Sequence, residues 1–221
     1  MRAHELVTEY SMMAGGIQSY LQQRGYRFLG AGVDQQAYLE PGTGHVLKVF
    51  GTDCSGDQLS EDQEMFRTFA EYCARHQQNP HLPRIYGYET FMFPTRRATD
   101  QGTMTEQKCL YLQIRTERLR HVSNQLFPVY EAMSQAAESD TDWNEFVEDM
   151  DNEDVYDGSR RFRQMTTDAQ SLARMHRLYE TMRDLATIGK KQGYGWDLHG
   201  NNIMERSDGT PVITDPWIVS L

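Results

Sequence analysis

Asp197, Asn202 and Asp215 are the residues whose types and spacing could do chemistry. The first two stand in Trp196-Asp197-Leu198-His199-Gly200-Asn201-Asn202-Ile203-Met204, and the third closes Val212-Ile213-Thr214-Asp215-Pro216. The connecting stretch, Glu205 to Pro211, contains Asp208-Gly209, a hairpin-type turn signal between two apolar runs. Antiparallel pairing of those runs would bring Asp215 back beside Asn202. Three oxygen-bearing side chains would then converge on one edge. Such a set suits Mg²⁺, a hard cation that takes one or two carboxylates and fills its other positions with water and phosphate.

A second cluster lies near the other end. Tyr26 to Leu29 and Val33 to Glu40 read as strands meeting at Gly30-Ala31-Gly32, and His45 to Phe50 reads as a third strand carrying Lys48. Glycines let a backbone approach phosphate closely, with its N–H groups as donors. A lysine on an otherwise apolar strand costs desolvation unless it meets an anion. Gly30, Gly32 and Lys48 are therefore candidate phosphate contacts.

The elements that must position these residues follow from periodicity and punctuation. Residues 3–23 carry an apolar helical stripe that Gly15-Gly16 would weaken or split. Ser60 with Gln63 forms a capping-box pattern that opens a helix buried through Met65, Phe66, Phe69 and Cys73. Asn79 to Pro83 ends it. Strands are expected near 84–93 and 110–114, with an exposed loop over 95–107. Pro128 suits a helix start. Trp143, Phe146, Val147 and Met150 give a short amphipathic helix with Asp142 and Glu145 as a capping pair. A long helix is expected over 160–188, stopped by Gly189.

The order Gly-x-Gly, Val-Leu-Lys, Asp-x-x-x-x-Asn and then Ile-Thr-Asp-Pro resembles the protein-kinase-like superfamily. Within it, Asp-Leu-His-x-x-Asn-Ile-Met, the short hairpin and Ile-Thr-Asp-Pro are similar to the early serine/threonine kinases of short-tailed lytic bacteriophages of the autographivirus type. The resemblance implies an α+β, bilobal fold. An N-terminal helical extension (1–23) would precede a small antiparallel-sheet lobe (24–114). A hinge (115–119) would lead to a reduced, mostly helical lobe (120–221). It implies that Asp197 orients and deprotonates an acceptor hydroxyl, that Asn202 and Asp215 hold Mg²⁺, and that Lys48 contacts the ATP phosphates. Glu64 would pair with Lys48, with Glu61 and Glu71 as rivals. Thr116 and Arg118 would sit by position in the adenine-binding hinge. His199 would contact the γ-phosphate or hydrogen-bond Asp197. The implied activity is transfer of the ATP γ-phosphoryl group to serine or threonine of host proteins in the cytoplasm.

The chain also departs from that pattern. Gln35 replaces a third glycine, Gly195 and His199 stand where most protein kinases have His and Lys, and Asp215-Pro216-Trp217 replaces Asp-Phe-Gly. Asp-Leu-His also occurs in small-molecule kinases such as the aminoglycoside phosphotransferases. Six residues follow Asp215, so the expectation is no activation loop and no control through one. A silent kinase-like interaction module is the other rival.

Composition narrows the partners. The net charge is −10, and residues 138–157 hold ten acids and no Lys or Arg, so the remainder is about neutral. A basic nucleic-acid face is disfavoured. No apolar run is long enough to span a bilayer, and the N-terminus shows no apolar signal segment. Cys54, Cys73 and Cys109 are expected to be reduced thiols, buried or incidental.

Overall fold

The computed structural model describes residues 16–32, 35–51, 58–98, 104–151 and 158–219, with backbone alone at 95–98 and 104–106. The architecture is mixed α+β, in two compact units. The first comprises Met1–Arg75 with Arg84–Arg118, and the second His76–Pro83 with Leu119–Leu221. His76–Pro83, expected within the small lobe, thus belongs to the second unit.

The first unit is built on five antiparallel strands: β1 (Arg27–Ala31), β2 (Gln35–Leu39), β3 (Val46–Phe50), β4 (Ile85–Ala98) and β5 (Met104–Thr116), ordered β1-β2-β3-β5-β4. Side chains alternate across the pleat, so the apolar residues of β3 divide between two cores. Leu47 and Val49 pack with Tyr38, Phe91, Phe93 and Tyr111 beneath Ile17, Tyr20 and Leu21 of helix α1 (Ile17–Gln23). Phe50 packs on the opposite face with Leu112, Ile114 and Phe66 and Ala70 of helix α2 (Glu61–Arg75). The start of α2 shows the reciprocal cap expected of Ser60 and Gln63. The Gln63 N–H donates to Ser60 Oγ (3.3 Å), and the Ser60 N–H donates to Gln63 Oε1 (3.0 Å). Gln63 does more than cap. Its buried amide nitrogen donates to the carbonyls of Phe50 and Leu110, fastening the helix end to two strands.

The second unit contains helices α3 (Phe127–Glu138), α4 (Trp143–Asp151), α5 (Ser159–Met165) and α6 (Ala169–Gln192). Its strands are β6 (Arg120–His121), β7 (Tyr194–Trp196), β8 (Ile203–Glu205), β9 (Pro211–Ile213) and β10 (Trp217–Val219). They form a three-stranded sheet, β6-β8-β9, and a pair, β10-β7. Trp143 and Phe146 of α4 meet Phe162 of α5 and Tyr179 of α6 in one aromatic cluster. The part of the acidic segment within α4 is therefore anchored by its apolar face, as the periodicity predicts.

Four expectations are corrected. Residues 95–98 and 104–107, expected in a loop, continue the β4–β5 ladder, paired through Ala98 with Met104, and residues 99–103 of that expectation lie outside the described residues. A ladder held by backbone bonds needs no apolar pattern once its base is in register. The 160–188 helix is two, because Asp168 accepts from the N–H groups of Gln170 and Ser171 and so caps a new helix start. Gly189 does not stop that helix, which runs on to Gly193 in the left-handed conformation. Cys109 is disulfide-bonded, whereas Cys73 is a free buried thiol. The N-terminal helix begins at Ile17 with Gly16 as its cap, and residues 3–15 of that expectation lie outside the described residues. Among the described residues no helix is long and apolar enough to cross a membrane.

Candidate active site

The second unit brings Asp197, Asn202 and Asp215 together through its backbone. The β8–β9 hairpin pairs Ile203 with Ile213, Met204 with Val212 and Glu205 with Pro211. Gly209, at φ 83°, supplies the left-handed turn residue that the Asp-Gly signal calls for. The ladder continues past the hairpin, where the Thr214 N–H donates to the Asn202 carbonyl (2.9 Å). On the other side β7 pairs with β10, Trp196 opposite Trp217, and the Asp197 N–H donates to the Pro216 carbonyl (2.9 Å). Asp215 is thus held between one neighbour bonded to Asn202 and another bonded to Asp197.

The loop between β7 and β8 is closed by its own side chains. Asn202 Nδ2 donates to the Asp197 carbonyl (2.7 Å), which orients the amide. His199 begins the Gly200–Asn202 turn, and its Nδ1 accepts from the Asn201 N–H (3.2 Å). An acceptor Nδ1 puts the proton of the neutral imidazole on Nε2. That N–H lies 3.9 Å from Asp197 Oδ2, too far for a direct hydrogen bond. It also lies 3.4 Å from Asn202 Nδ2, which in this tautomer is donor against donor. The Asp197 and His199 side chains are 43% and 48% exposed, so both reach solvent and a substrate could reach them.

Several residues that support this loop carry no signal of their own in the sequence. His81 donates from Nδ1 to the Pro211 carbonyl, and its own carbonyl accepts from the Ile213 N–H (both 2.9 Å). Burial pushes its pKa down and the nearby Arg177 and Arg206 act the same way, against the Pro211 hydrogen bond, which raises it. Arg206 donates to the carbonyls of Pro80 and Leu82. The stretch read only as a helix end is therefore strapped to the hairpin that carries Asp215. Trp217 donates to the Leu185 carbonyl (2.9 Å), and a Cβ on Gly189 would stand 2.7 Å from its indole nitrogen. The glycine makes room for the ring that fixes β10 to α6.

In the first unit the strand register aligns the other candidates. Gly30 pairs with Ala37, Ala37 with Lys48, and Lys48 with Ile114, so these residues share the sheet face on which α2 packs. Gly30 lies two strand spacings from Lys48, roughly 10 Å. A Cβ at Gly30 would meet nothing within 4 Å, so its backbone is open to a ligand. The Gly32 N–H is already used, donating to the Gln35 carbonyl (2.9 Å). Residues 33 and 34, between the two strands, lie outside the described residues. Lys48 is close enough to Cys73 for its charge to oppose the burial that pushes that thiol's pKa up.

The Glu64 carboxylate pairs with Arg67 (2.6 Å), and Glu71 lies 3.9 Å from the same guanidinium. The face of α2 turned to the sheet is that of Gln63, Phe66 and Ala70, one position off the residue chosen from sequence. Thr116 is buried and donates to the Arg84 carbonyl (3.1 Å), which also accepts from the Glu117 N–H, whereas Arg118 is exposed. The Thr116 side chain is thus committed to the protein.

A divalent cation can be tested against these groups. With Nδ2 of Asn202 committed to Asp197, its Oδ1 has no hydrogen-bond partner among the described residues. An amide oxygen and a half-buried carboxylate on neighbouring backbone fit the sparse protein ligation that Mg²⁺ accepts. They do not amount to the richer cage of another metal: no group of three or more His, Cys, Asp or Glu able to hold an ion occurs among the described residues. Comparison with known proteins finds no family model and no curated protein that matches the chain.

Proposed function

We propose that the protein is an ATP-dependent serine/threonine kinase of the phage type, acting on host proteins in the cytoplasm. The observation that carries this reading is the pinning of Asp215 between the partners of Asn202 and Asp197. It gathers a base and two hard-oxygen ligands on one short stretch of backbone. The aligned Gly30, Ala37 and Lys48 add a cation beside open backbone on a sheet.

In the proposed reaction the acceptor hydroxyl oxygen attacks the γ-phosphorus as the bond from that phosphorus to the ADP oxygen breaks. The hydroxyl proton passes to the Asp197 carboxylate. The Nε2–H of His199 donates to a phosphate oxygen entering the gap beside Asp197. Lys48 offers its ammonium to the α/β-phosphates. Asn202 Oδ1 and Asp215 would hold Mg²⁺, which when bound neutralises charge on the triphosphate. Phosphoryl transfer asks chiefly for positioning and charge stabilisation, which a small set of fixed groups can supply.

The test is incubation of the purified protein with γ-labelled ATP, Mg²⁺ and host lysate. Label should enter protein at serine or threonine. Asp197→Ala should abolish it while leaving nucleotide binding intact. Label in small molecules alone would favour a small-molecule phosphotransferase, the reading that Asp-Leu-His supports. Absence of any turnover, with a partner retained equally by Asp197→Ala, would refute both.

A further inference from the structure

We infer that Ser134, far from the loop in sequence, is a positioning residue for Asp197. Its activity consequence rests on the kinase reading above, but its geometry does not. Ser134 lies in the interior of α3 and is 3% exposed. Its Oγ donates to the carbonyl of Leu198 (2.7 Å) and accepts from the indole Nε1–H of Trp196 (2.9 Å). Those are the residues on either side of Asp197, so one buried oxygen holds both flanks.

The remaining backbone groups of Asp197 are engaged as well. Its N–H donates to Pro216 and its carbonyl accepts from Asn202 Nδ2. Ser134 therefore completes a frame in which only the carboxylate of Asp197 is left to meet a substrate. A serine within a helix ordinarily bonds to its own preceding turn or faces water. Here the hydroxyl is spent on bonds spanning 62 and 64 residues of sequence. Alanine is the better helix former at such a site, so propensity does not account for the serine.

Removing the hydroxyl leaves a carbonyl and an indole N–H without their shared partner, and the flanks of Asp197 free to shift. Ser134 spends its bonds on Leu198 and Trp196, the flanks of Asp197, and none on Asn202. The effect should therefore fall on transfer and spare nucleotide binding.

The test uses the full chain. In Ser134→Ala, kcat for phosphotransfer should fall by about tenfold or more, the consequence of two polar groups left without their shared partner. KM for ATP should stay within about twofold, and Ser134→Thr, which keeps the hydroxyl, should recover most of the loss. Independently, the indole N–H of Trp196 should exchange faster with solvent in Ser134→Ala while that of Trp143 is unchanged. The chain has three tryptophans, so the resonances can be assigned by substitution. Should Ser134→Ala not fold, Trp196→Phe removes the indole donor while keeping an aromatic ring and the Ser134 hydroxyl, and should lower kcat in the same direction. Wild-type kcat in Ser134→Ala, or unchanged Trp196 exchange, overturns the inference. If the wild-type protein transfers no phosphate, the kinase reading fails, and Trp196 exchange alone decides whether Ser134 bridges the loop.

Discussion

Gly200 offers the sharpest test of the loop's packing. A Cβ placed there would stand 2.4 Å from Cγ of Phe127 and 2.7 Å from both Cδ atoms. Ordinary carbon contacts begin near ~3.5 Å, so the overlap is about 1 Å. Ring rotation cannot relieve it, because Cγ lies on the rotation axis and does not move. Phe127 must swing about its Cα–Cβ bond out of its packed position, or the start of α3 or the turn holding His199 and Asn202 must shift. Overpacking of this kind costs about 1–3 kcal/mol. At about 2–4 °C per kcal/mol for a chain of this length, Gly200→Ala should lower Tm by about 2–12 °C. The displaced turn should also lower phosphotransfer in the labelled-ATP assay. The discriminating measurement is a double-mutant cycle with Phe127→Ala, which removes Cγ and the ring together. In that background Gly200→Ala should cost little, giving a coupling of about 1–2 kcal/mol by thermal or urea unfolding. If Gly200→Ala costs the same in both backgrounds, or nothing in either, the packing argument is wrong.

Three further outcomes are expected. His81 is buried with its pKa held below the ordinary 6.5, so the unfolded chain takes up a proton before the folded one does. Stability should therefore be complete above about pH 6.5 and fall as pH drops below it. Urea midpoints at about pH 7.5 and about pH 5.5 should differ less in His81→Gln than in wild type. Gln63→Leu keeps bulk but strips the amide that reaches Phe50 and Leu110. It should destabilise the first unit by about 1–3 kcal/mol in urea unfolding, and loss of amide-exchange protection at the start of α2 should accompany it. Gly189→Ala drives a methyl toward the Trp217 indole, 2.7 Å away. It should weaken the Trp217 bond to Leu185, seen as faster exchange of the Trp217 indole N–H, while Gly193→Ala should leave that resonance unchanged.

The hairpin that carries the site was legible because its signals are local. Asp208-Gly209 sets a turn, and the short apolar runs on either side of it pair Ile203 with Ile213 and Glu205 with Pro211. Those two facts place Asn202 opposite Thr214 without any distant contact. The capping box at Ser60 and the helix start at Pro128 were legible for the same reason. Only the outer half of the β4–β5 ribbon reads as a loop, because it lacks an apolar pattern and ladder bonds do not depend on one. The break at Asp168 was missed because an apolar stripe on both sides hides a cap between them. The face of α2 that meets the sheet is not legible from the three acids in its first turn, because the docking of Gln63 fixes it.

The sequence by itself determined the chemistry on offer: which carboxylates, amide and ammonium exist, and which short-range turns present them. Tertiary structure alone decided what holds those groups still. Ser134, His81, Phe127 and Trp217 are ordinary core residues by type. Each is engaged through contacts that chain separation conceals, from the 32 residues between Leu185 and Trp217 to the 130 between His81 and Pro211. Local spacing encodes a residue's own neighbours along the chain. Bonds across a fold depend on how whole elements dock, and no window of sequence contains that.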